Sequence, residues 1–206
     1  PRNDELCRVS KERWAQLRSR LGLREKDRVL LYAPTFREYE KNSARECIFA
    51  PPVSWARWKE ALGEDTVILV RAHYEALQAM NLEGEERVRD VSAYPSLNEL
   101  MIASDILISD YSSVFFDYSI LEKPMICFAY DYDQYQKERG MYFDIRRWLD
   151  WGADQEAVLE LIQKLLDREF LEKSVEKTRA FKARFVESCG HGTEAVLERI
   201  HKNFFY

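Results

Sequence analysis

The most informative part of the sequence is SDILISDYSSVFFD, residues 104–117, in which an apolar run leads through a polar turn into a second apolar segment. Ile106-Leu107-Ile108 is a continuous apolar run of strand length, which is typical of a strand buried on both faces. Ser112 and Ser113 stand where a helix over residues 114–121 would begin, and Ser is a preferred residue at that position. The stretch therefore predicts a strand, a turn and a helix in succession.

Strands and helices alternate on both sides of this stretch. Further strands are predicted at residues 29–32, 66–70, 88–91 and 125–128. Helices are predicted at residues 10–22, 54–63 and 97–103, the last with a capping box of Ser96 and Glu99. From Asp154 onward the pattern is helical, with helices near residues 158–165, 169–186 and 193–203. We therefore expect an α/β fold: a doubly wound, Rossmann-like parallel sheet covered on both faces, with a helical C-terminal tail.

Composition excludes several classes of protein. The chain has 206 residues, of which 46% are hydrophobic, enough for one domain with a sizeable core. The net charge of −5 argues against a general nucleic-acid-binding domain. No apolar run approaches the roughly 18 residues that a membrane span needs. Four cysteines without a CxxC or Cys/His pair predict reduced thiols. Because the chain starts at Pro1, we expect it to be part of a longer protein.

Ligands of such sheets bind beyond the carboxyl ends of the strands, so the loops at those ends are the candidate sites. The first loop carries Thr35 and Arg37, both expected to point into the crevice. The planar guanidinium of Arg37 suits phosphate because it donates two parallel, charge-assisted hydrogen bonds. The alternative is a surface arginine paired with Glu38 or Glu40.

Two further loops carry residues suited to phosphate. His73 follows the second strand and is a candidate acid, base or cationic ligand, with a structural histidine as the alternative. Ser112 and Ser113 offer hydroxyls at the start of a helix, where anions bind, although ordinary capping also explains one of them. Asp117, four residues after Ser113, is placed to accept hydrogen bonds from hydroxyls of a ligand. No GxGxxG or Walker A pattern occurs, which excludes these two kinds of nucleotide site.

Two other segments have an open interpretation. Residues 129–144 are rich in aromatic and acidic side chains, which suits stacking on a base, a lid, or a surface loop with packed rings. The segment CGHGT, residues 189–193, is predicted to be a turn, with ligand contact as the alternative.

Several motifs taken together resemble one known family. They are PRNDEL at residues 1–6, YAPTFR at 32–37, RAH at 71–73, the stretch 104–117, KP at 123–124, YD at 130–131 and RG at 139–140. In this order they resemble the CDP-glycerol glycerophosphotransferase family, which contains teichoic acid polymerases and primases and relatives in capsule synthesis. A family member resembles a two-lobed GT-B glycosyltransferase. The resemblance implies that residues 1–206 are a single domain, the C-terminal donor-binding lobe, without the N-terminal acceptor lobe.

The resemblance also implies a reaction. Glycerol phosphate, or a similar polyol phosphate, would pass from its CDP carrier to an acceptor hydroxyl with release of CMP. The family pattern carries over to Arg37, His73, Ser112, Ser113 and Asp117 as donor-site residues. Arg37 and His73 would be catalytic, because they neutralise charge on the bridging oxygen. A further histidine, in the other lobe, would act as general base, so the isolated lobe is expected to be inactive.

The remaining expectations concern partners. The family implies a CDP-glycerol donor, a polymer or lipid-linked saccharide acceptor bound through the missing lobe, and a cytoplasmic place at the inner membrane face. The sequence requires no cofactor and has no carboxylate cluster that demands a divalent cation, although it leaves such a cation open. Two alternatives stay open as well: a lobe of a UDP- or GDP-sugar glycosyltransferase, and a non-catalytic interaction module.

Overall fold

A computed structural model describes residues 3–37, 51–73, 80, 82, 86–187 and 189–204. The strands are β1 Arg28–Ala33, β2 Thr66–Val70, β3 Val88–Asp90, β4 Ile106–Ser109, β5 Met125–Phe128 and β6 Asp150–Gly152. The α-helices are α1 Lys11–Arg20, α2 Trp55–Leu62, α3 Leu97–Ala103, α4 Val114–Ser119, α5 Tyr132–Glu138, α6 Gln155–Lys164, α7 Arg168–Phe185 and α8 Gly192–Phe204. Short 3₁₀ helices cover Asp4–Arg8 and Ile145–Arg147.

Within the described residues the strands form one parallel sheet in the order β3-β2-β1-β4-β5-β6. The chain builds one half outward from β1 and then returns to the other side of β1 with β4. Ala33 at the end of β1 is in register with Ser109 at the end of β4. The loops that follow these two strands therefore start side by side at the topological switch point, where ligands bind in such sheets. The predicted α/β, doubly wound fold is confirmed.

Both faces of the sheet are buried, which explains why the strands are continuous apolar runs. In β1, Val29 and Leu31 pack with α1, α3, α4 and α7, while Leu30 and Tyr32 pack with α2 and α6. Alternate residues of a strand point to opposite faces, so only an uninterrupted run fills both layers.

Serine caps begin three of the helices where the sequence predicts them. The side chains of Ser10, Ser54 and Ser96 each accept a hydrogen bond from the backbone N–H three residues later. The carboxylate of Glu99 accepts hydrogen bonds from the Arg13 guanidinium at 2.8 Å and the Tyr94 hydroxyl at 2.7 Å. The residue expected to complete the capping box thus also joins α3 to α1.

Some elements differ from the sequence predictions. Strand β6 was not predicted, because it has only three residues, begins at an aspartate and contains the half-exposed Trp151. Helix α5 was not predicted either, and α4 ends at Ser119, two residues earlier than expected. Among the described residues, no helix combines the length and the apolar composition that crossing a bilayer requires.

Candidate functional site

The loops after β1 and β4 are tied together by one carboxylate. The backbone N–H of Thr35 donates to both carboxylate oxygens of Asp110, at 2.9 and 3.0 Å. The Thr35 hydroxyl also donates to Asp110. Asp110 is buried directly after β4, so it fixes the β1 loop against the carboxyl end of its neighbouring strand. The Thr35 hydroxyl was expected to face the crevice, and the structure gives it this partner instead.

Arg37 lies in the same loop and is fully buried. Its Nη2 donates to Asp110 Oδ2 at 2.9 Å, and its Nε donates to Asp131 Oδ2 at 2.8 Å. Burial lowers the pKa of Arg37, but the hydrogen bond that it donates to Asp131 and the charge of Asp110 outweigh burial and raise the pKa above its usual value. The guanidinium is therefore a fixed cation between two carboxylates.

Three tyrosine rings surround this ion cluster. The centroids of Tyr111, Tyr130 and Tyr135 lie 5.2, 5.5 and 4.8 Å from the guanidinium carbon of Arg37. The Tyr111 hydroxyl donates to Asp131 Oδ1 at 3.0 Å. Cation–π contacts of this kind strengthen when water is excluded.

These contacts differ from what the sequence predicted for Arg37. The alternative of a surface arginine is wrong, because the side chain has 0% exposure. In this structure the guanidinium binds Asp110 and Asp131, and its contact with phosphate stays a prediction.

His73 follows β2 and has an exposed side chain. Its ring centroid lies 4.6 Å from that of Phe36 in the β1 loop, with the ring planes tilted by 33°. The parallel pairing of β1 with β2 brings these two loops together, as the strand order requires. The imidazole is therefore at the same edge of the sheet as Arg37, and it is the more accessible of the two predicted cationic groups.

The two serines before α4 have different environments. Ser112 Oγ accepts a hydrogen bond from the backbone N–H of Val114 at 3.2 Å, so this side chain holds the turn. Ser113 occupies the N-cap position, where its side chain makes no capping bond and is exposed. Local structure thus uses one of the two hydroxyls, and the second is left accessible for a ligand.

A cavity of about 370 Å³ opens beside these serines. Half of the residues that line it are aromatic, namely Tyr111, Phe116, Tyr135, Tyr142 and Phe143. Phe143 stacks on Phe185 with centroids 4.4 Å apart, whereas Tyr142 is fully exposed. Some rings of the aromatic stretch thus pack inside the protein and others line a pocket, and stacking on a base stays a prediction.

Asp117 faces a different surface. Its Oδ1 accepts a hydrogen bond from Asn3 Nδ2 in the segment before the first 3₁₀ helix. Asn3 and Asp117 line a second cavity, of about 360 Å³, together with Glu187 and Cys189. The structure thus brings Thr35, Arg37 and His73 to one loop cluster and directs Asp117 toward the first and last segments of the chain.

Sequence analysis missed two residues that organise the site, Asp110 and Asp131. The available signal was their position, because each is a carboxylate that closely follows a buried strand, β4 or β5. Within the described residues, no group of three or more His, Cys, Asp or Glu side chains is placed to hold a metal ion.

The sequence is similar to that of known proteins over almost its whole length. A family model described as CDP-Glycerol:Poly(glycerophosphate) glycerophosphotransferase matches residues 1–202. Over 98% of the chain, the sequence is 36% identical to the teichoic acid poly(glycerol phosphate) polymerase of Staphylococcus epidermidis, of which it covers 29%. It is 32% identical to the teichoic acid glycerol-phosphate transferase of Staphylococcus aureus, again over 98% of the chain and 53% of that protein. The chain thus spans about half or less of these relatives.

The comparison with solved structures also finds a teichoic acid enzyme. The Wall Teichoic Acid Polymerase TagF superposes with a TM-score of 0.84 and 35% identity, covering 98% of this chain and 51% of that one. A TagF variant soaked with CDPG gives a TM-score of 0.80 at 34% identity, covering 98% and 49%. Anabaena Alr3699/HepE in complex with UDP and glucose shares the fold, with a TM-score of 0.58 and 14% identity. The match covers 95% of this chain and 55% of that one.

Proposed function

The chain belongs to the CDP-glycerol:poly(glycerophosphate) glycerophosphotransferase family, and from this we propose that it is the donor-binding lobe of an enzyme of teichoic acid or capsule polymer synthesis. The proposed reaction transfers glycerol phosphate, or a similar polyol phosphate, from a CDP carrier to an acceptor hydroxyl. One observation supports the proposed site above the others: the exposed Ser113 hydroxyl at the switch point, beside an aromatic pocket.

In the proposed arrangement, the diphosphate of CDP-glycerol lies against Ser112 and Ser113. The Ser113 hydroxyl donates a hydrogen bond to a phosphate oxygen, while Ser112 keeps the turn in shape through Val114. The acceptor oxygen attacks the phosphorus that carries glycerol, and the bond from this phosphorus to the bridging oxygen breaks. CMP leaves with the bonding electron pair. The proton of the acceptor hydroxyl goes to a base that we expect from the other lobe.

His73 is the residue that we assign to the leaving group. Its side chain is exposed at the neighbouring strand end and so can approach the phosphate that departs with CMP. A protonated imidazole stabilises the charge that develops on this phosphate, which is the usual way to lower such a barrier.

We assign Arg37 a positioning role. Its guanidinium binds Asp110 and Asp131, which follow β4 and β5, and Asp110 in turn binds the backbone of Thr35. Through these bonds Arg37 holds three loops in a fixed relation below the proposed phosphate site. Asp117 is proposed to bind hydroxyls of the donor, since its cavity shares the Phe116 side chain with the cavity beside Ser112 and Ser113.

Calorimetric titration with CDP-glycerol tests the site. Ser113→Ala and His73→Gln are expected to weaken binding by about tenfold or more, since a hydrogen bond to a charged group contributes about 1.5–3 kcal/mol. Ser19→Ala, an exposed serine on α1, is the matched control and is expected to bind like the parent. Unchanged affinity in both site variants would show that the diphosphate binds elsewhere.

The same titration separates the alternatives. Tighter binding of UDP-glucose than of CDP-glycerol would favour a sugar-nucleotide glycosyltransferase. Absence of binding to either nucleotide would favour a non-catalytic module.

In this proposal, binding of the acceptor and work at the membrane are functions of the full-length protein. We propose that the acceptor polymer or lipid-linked saccharide binds through the other lobe, and that the full-length protein works at the cytoplasmic face of the membrane. The relatives named above, which are teichoic acid enzymes, support this placement. Fractionation of cells that express the full-length protein would test it, with recovery only in the soluble fraction as the contrary result.

A further inference from the structure

The first and last described segments of the chain meet at a pair of cysteines. Cys7 lies in the 3₁₀ helix Asp4–Arg8, and Cys189 lies three residues before α8 begins at Gly192. Both side chains are half-buried and carry free thiols. A Cβ atom placed on Gly190, the residue after Cys189, would lie 3.6 Å from the Cys7 sulfur, so the two cysteines are neighbours.

Polar bonds on both sides of Cys7 hold the two segments together. The Asp4 carboxylate accepts a hydrogen bond from the Gly192 N–H at 3.0 Å. The Arg8 guanidinium donates to the carbonyl oxygen of Gly190 at 2.6 Å. Cys7 therefore lies between two fixed contacts, both of which hold residues that closely follow Cys189.

Gly190 shows how closely the segments approach. It has a φ of +85°, and a Cβ atom placed on it would lie 3.3 Å from the Cβ of Cys7. Glycine adopts this backbone conformation without strain, and its missing side chain leaves room for Cys7. The close approach is built into the backbone, and it does not depend on the rotamer of either cysteine.

We propose that Cys7 and Cys189 form a thiol-modification site, at which a low-molecular-weight disulfide oxidises the pair to an intramolecular disulfide. The new bond joins the 3₁₀ helix to the segment that leads into α8. A disulfide requires the sulfur atoms to come within about 2 Å, and in this proposal the side chains of both cysteines rotate to reach that distance.

The reaction proceeds in two exchange steps. The Cys189 thiolate attacks one sulfur of the small disulfide, forms a mixed disulfide and releases the first small thiol. Cys7 then attacks the Cys189 sulfur and releases the second small thiol. The protein loses two electrons and two protons, and the small disulfide is reduced to two thiols.

The environment of Cys7 decides the order of attack. Burial, followed by the hydrogen bond with Cys189, raises the pKa of the Cys7 thiol to about 11. Little Cys7 thiolate is present near neutral pH, and the thiolate is the attacking species in such exchanges. We therefore assign the first attack to Cys189 as part of the proposal, and Cys7 resolves the mixed disulfide.

Incubation with oxidised glutathione tests the site. After residual thiols are alkylated, peptide mapping without reduction is expected to find the Cys7 peptide joined to the Cys189 peptide. Cys7→Ser is expected to stop at a glutathione adduct on Cys189, and Cys189→Ser is expected to leave Cys7 largely unmodified. Cys127 is the internal control, because it is buried and its thiol donates to the Asp110 carbonyl oxygen. A lasting glutathione adduct on Cys189 of the parent would overturn the proposal.

Thermal unfolding gives a second readout. A cross-link that closes a loop over most of the chain constrains the unfolded state, so the melting temperature of the oxidised parent should rise by on the order of 5 °C. Dithiothreitol should reverse the rise, and Cys7→Ser should show none. A cross-linked protein that melts at or below the temperature of the reduced form would contradict a disulfide compatible with the native fold.

Discussion

At the residue scale, Arg37 is the side chain whose removal should lower the free energy of unfolding the most. Its guanidinium is the shared partner of Asp110 and Asp131, and it has 0% exposure. Arg37→Ala would leave the buried Asp110 carboxylate and the largely buried Asp131 carboxylate without this cation. Breaking a buried ion pair in this way typically costs about 3–5 kcal/mol. We expect a loss of this size in the free energy of unfolding, measured by urea denaturation.

The matched control is Arg147→Ala, which removes an exposed arginine from the second 3₁₀ helix. Its free energy of unfolding is expected to stay within about 0.5 kcal/mol of the parent. A loss below about 1 kcal/mol for Arg37→Ala would show that the two carboxylates do not depend on this guanidinium.

Lys123 provides a residue-scale prediction about pH. Its Nζ donates to the carbonyl oxygens of Ile102, at 2.8 Å, and of Ser104. Burial lowers the pKa of Lys123 from 10.5 to about 8. Between about pH 8 and pH 10.5, Lys123 binds more protons in the unfolded chain than in the folded one, so its contribution to stability rises with pH. The neutral amine still donates to both carbonyls.

The measurement compares the parent with Lys123→Met by urea denaturation at pH 7.5, 8.5 and 9.5. The difference in unfolding free energy, parent minus variant, is expected to grow by up to about 1.4 kcal/mol per pH unit. Lys137→Met, at an exposed lysine of α5, should show a constant difference. A constant difference for Lys123→Met as well would disprove the lowered pKa.

At the scale of elements, α8 depends on a residue from the other end of the chain. Asp4 accepts hydrogen bonds from the backbone N–H groups of Gly192 and Thr193, in the first turn of α8. The bond from Gly192 lowers the pKa of Asp4 below its usual value. This cap should therefore hold α8 above about pH 4 and fail as the pH falls through the lowered pKa.

Hydrogen exchange at neutral pH measures the same cap. Asp4→Ala is expected to speed amide exchange at Gly192 and Thr193, because it removes the acceptor for their N–H groups. Asp4→Asn is the matched variant and should keep most of the protection, since asparagine caps helices about as well as aspartate. Equal exchange in all three proteins would mean that α8 is held by other contacts.

At the scale of the whole molecule, the sheet carries the site without itself supplying the chemistry. Six parallel strands within the described residues bring the β1, β2 and β4 loops to one edge. The proposed general base, however, belongs to the other lobe. We therefore expect this chain alone to bind CDP-glycerol but to release CMP only at the background rate, even with acceptor present.

A chromatographic assay of CMP measures this expectation, with a full-length family member as the positive control. If the parent chain releases CMP and the Ser113→Ala variant does not, the expectation is contradicted, because the lobe would then hold a complete active site. Release that the variant leaves unchanged would indicate a contaminating hydrolase.

Local patterns predicted much of the fold. Continuous apolar runs marked β1, β2, β4 and β5, because a strand covered on both faces needs apolar residues at successive positions. Strand β6 escaped, because its three residues, Asp150–Gly152, join the sheet through backbone pairing with β5 and carry no apolar run.

The sequence by itself determined the strands, the serine caps and which loops follow the strands, because these depend on residues a few positions apart. Only the tertiary structure decided the partners within the site. Arg37 and Asp110 are 73 positions apart, and Asn3 and Asp117 are 114 positions apart. A charged side chain in a loop binds whichever opposite charge the folded sheet brings within reach, and no local pattern records that choice. The burial of Arg37 between Asp110 and Asp131 is therefore a property of the packed sheet, whereas its position after β1 follows from the sequence alone.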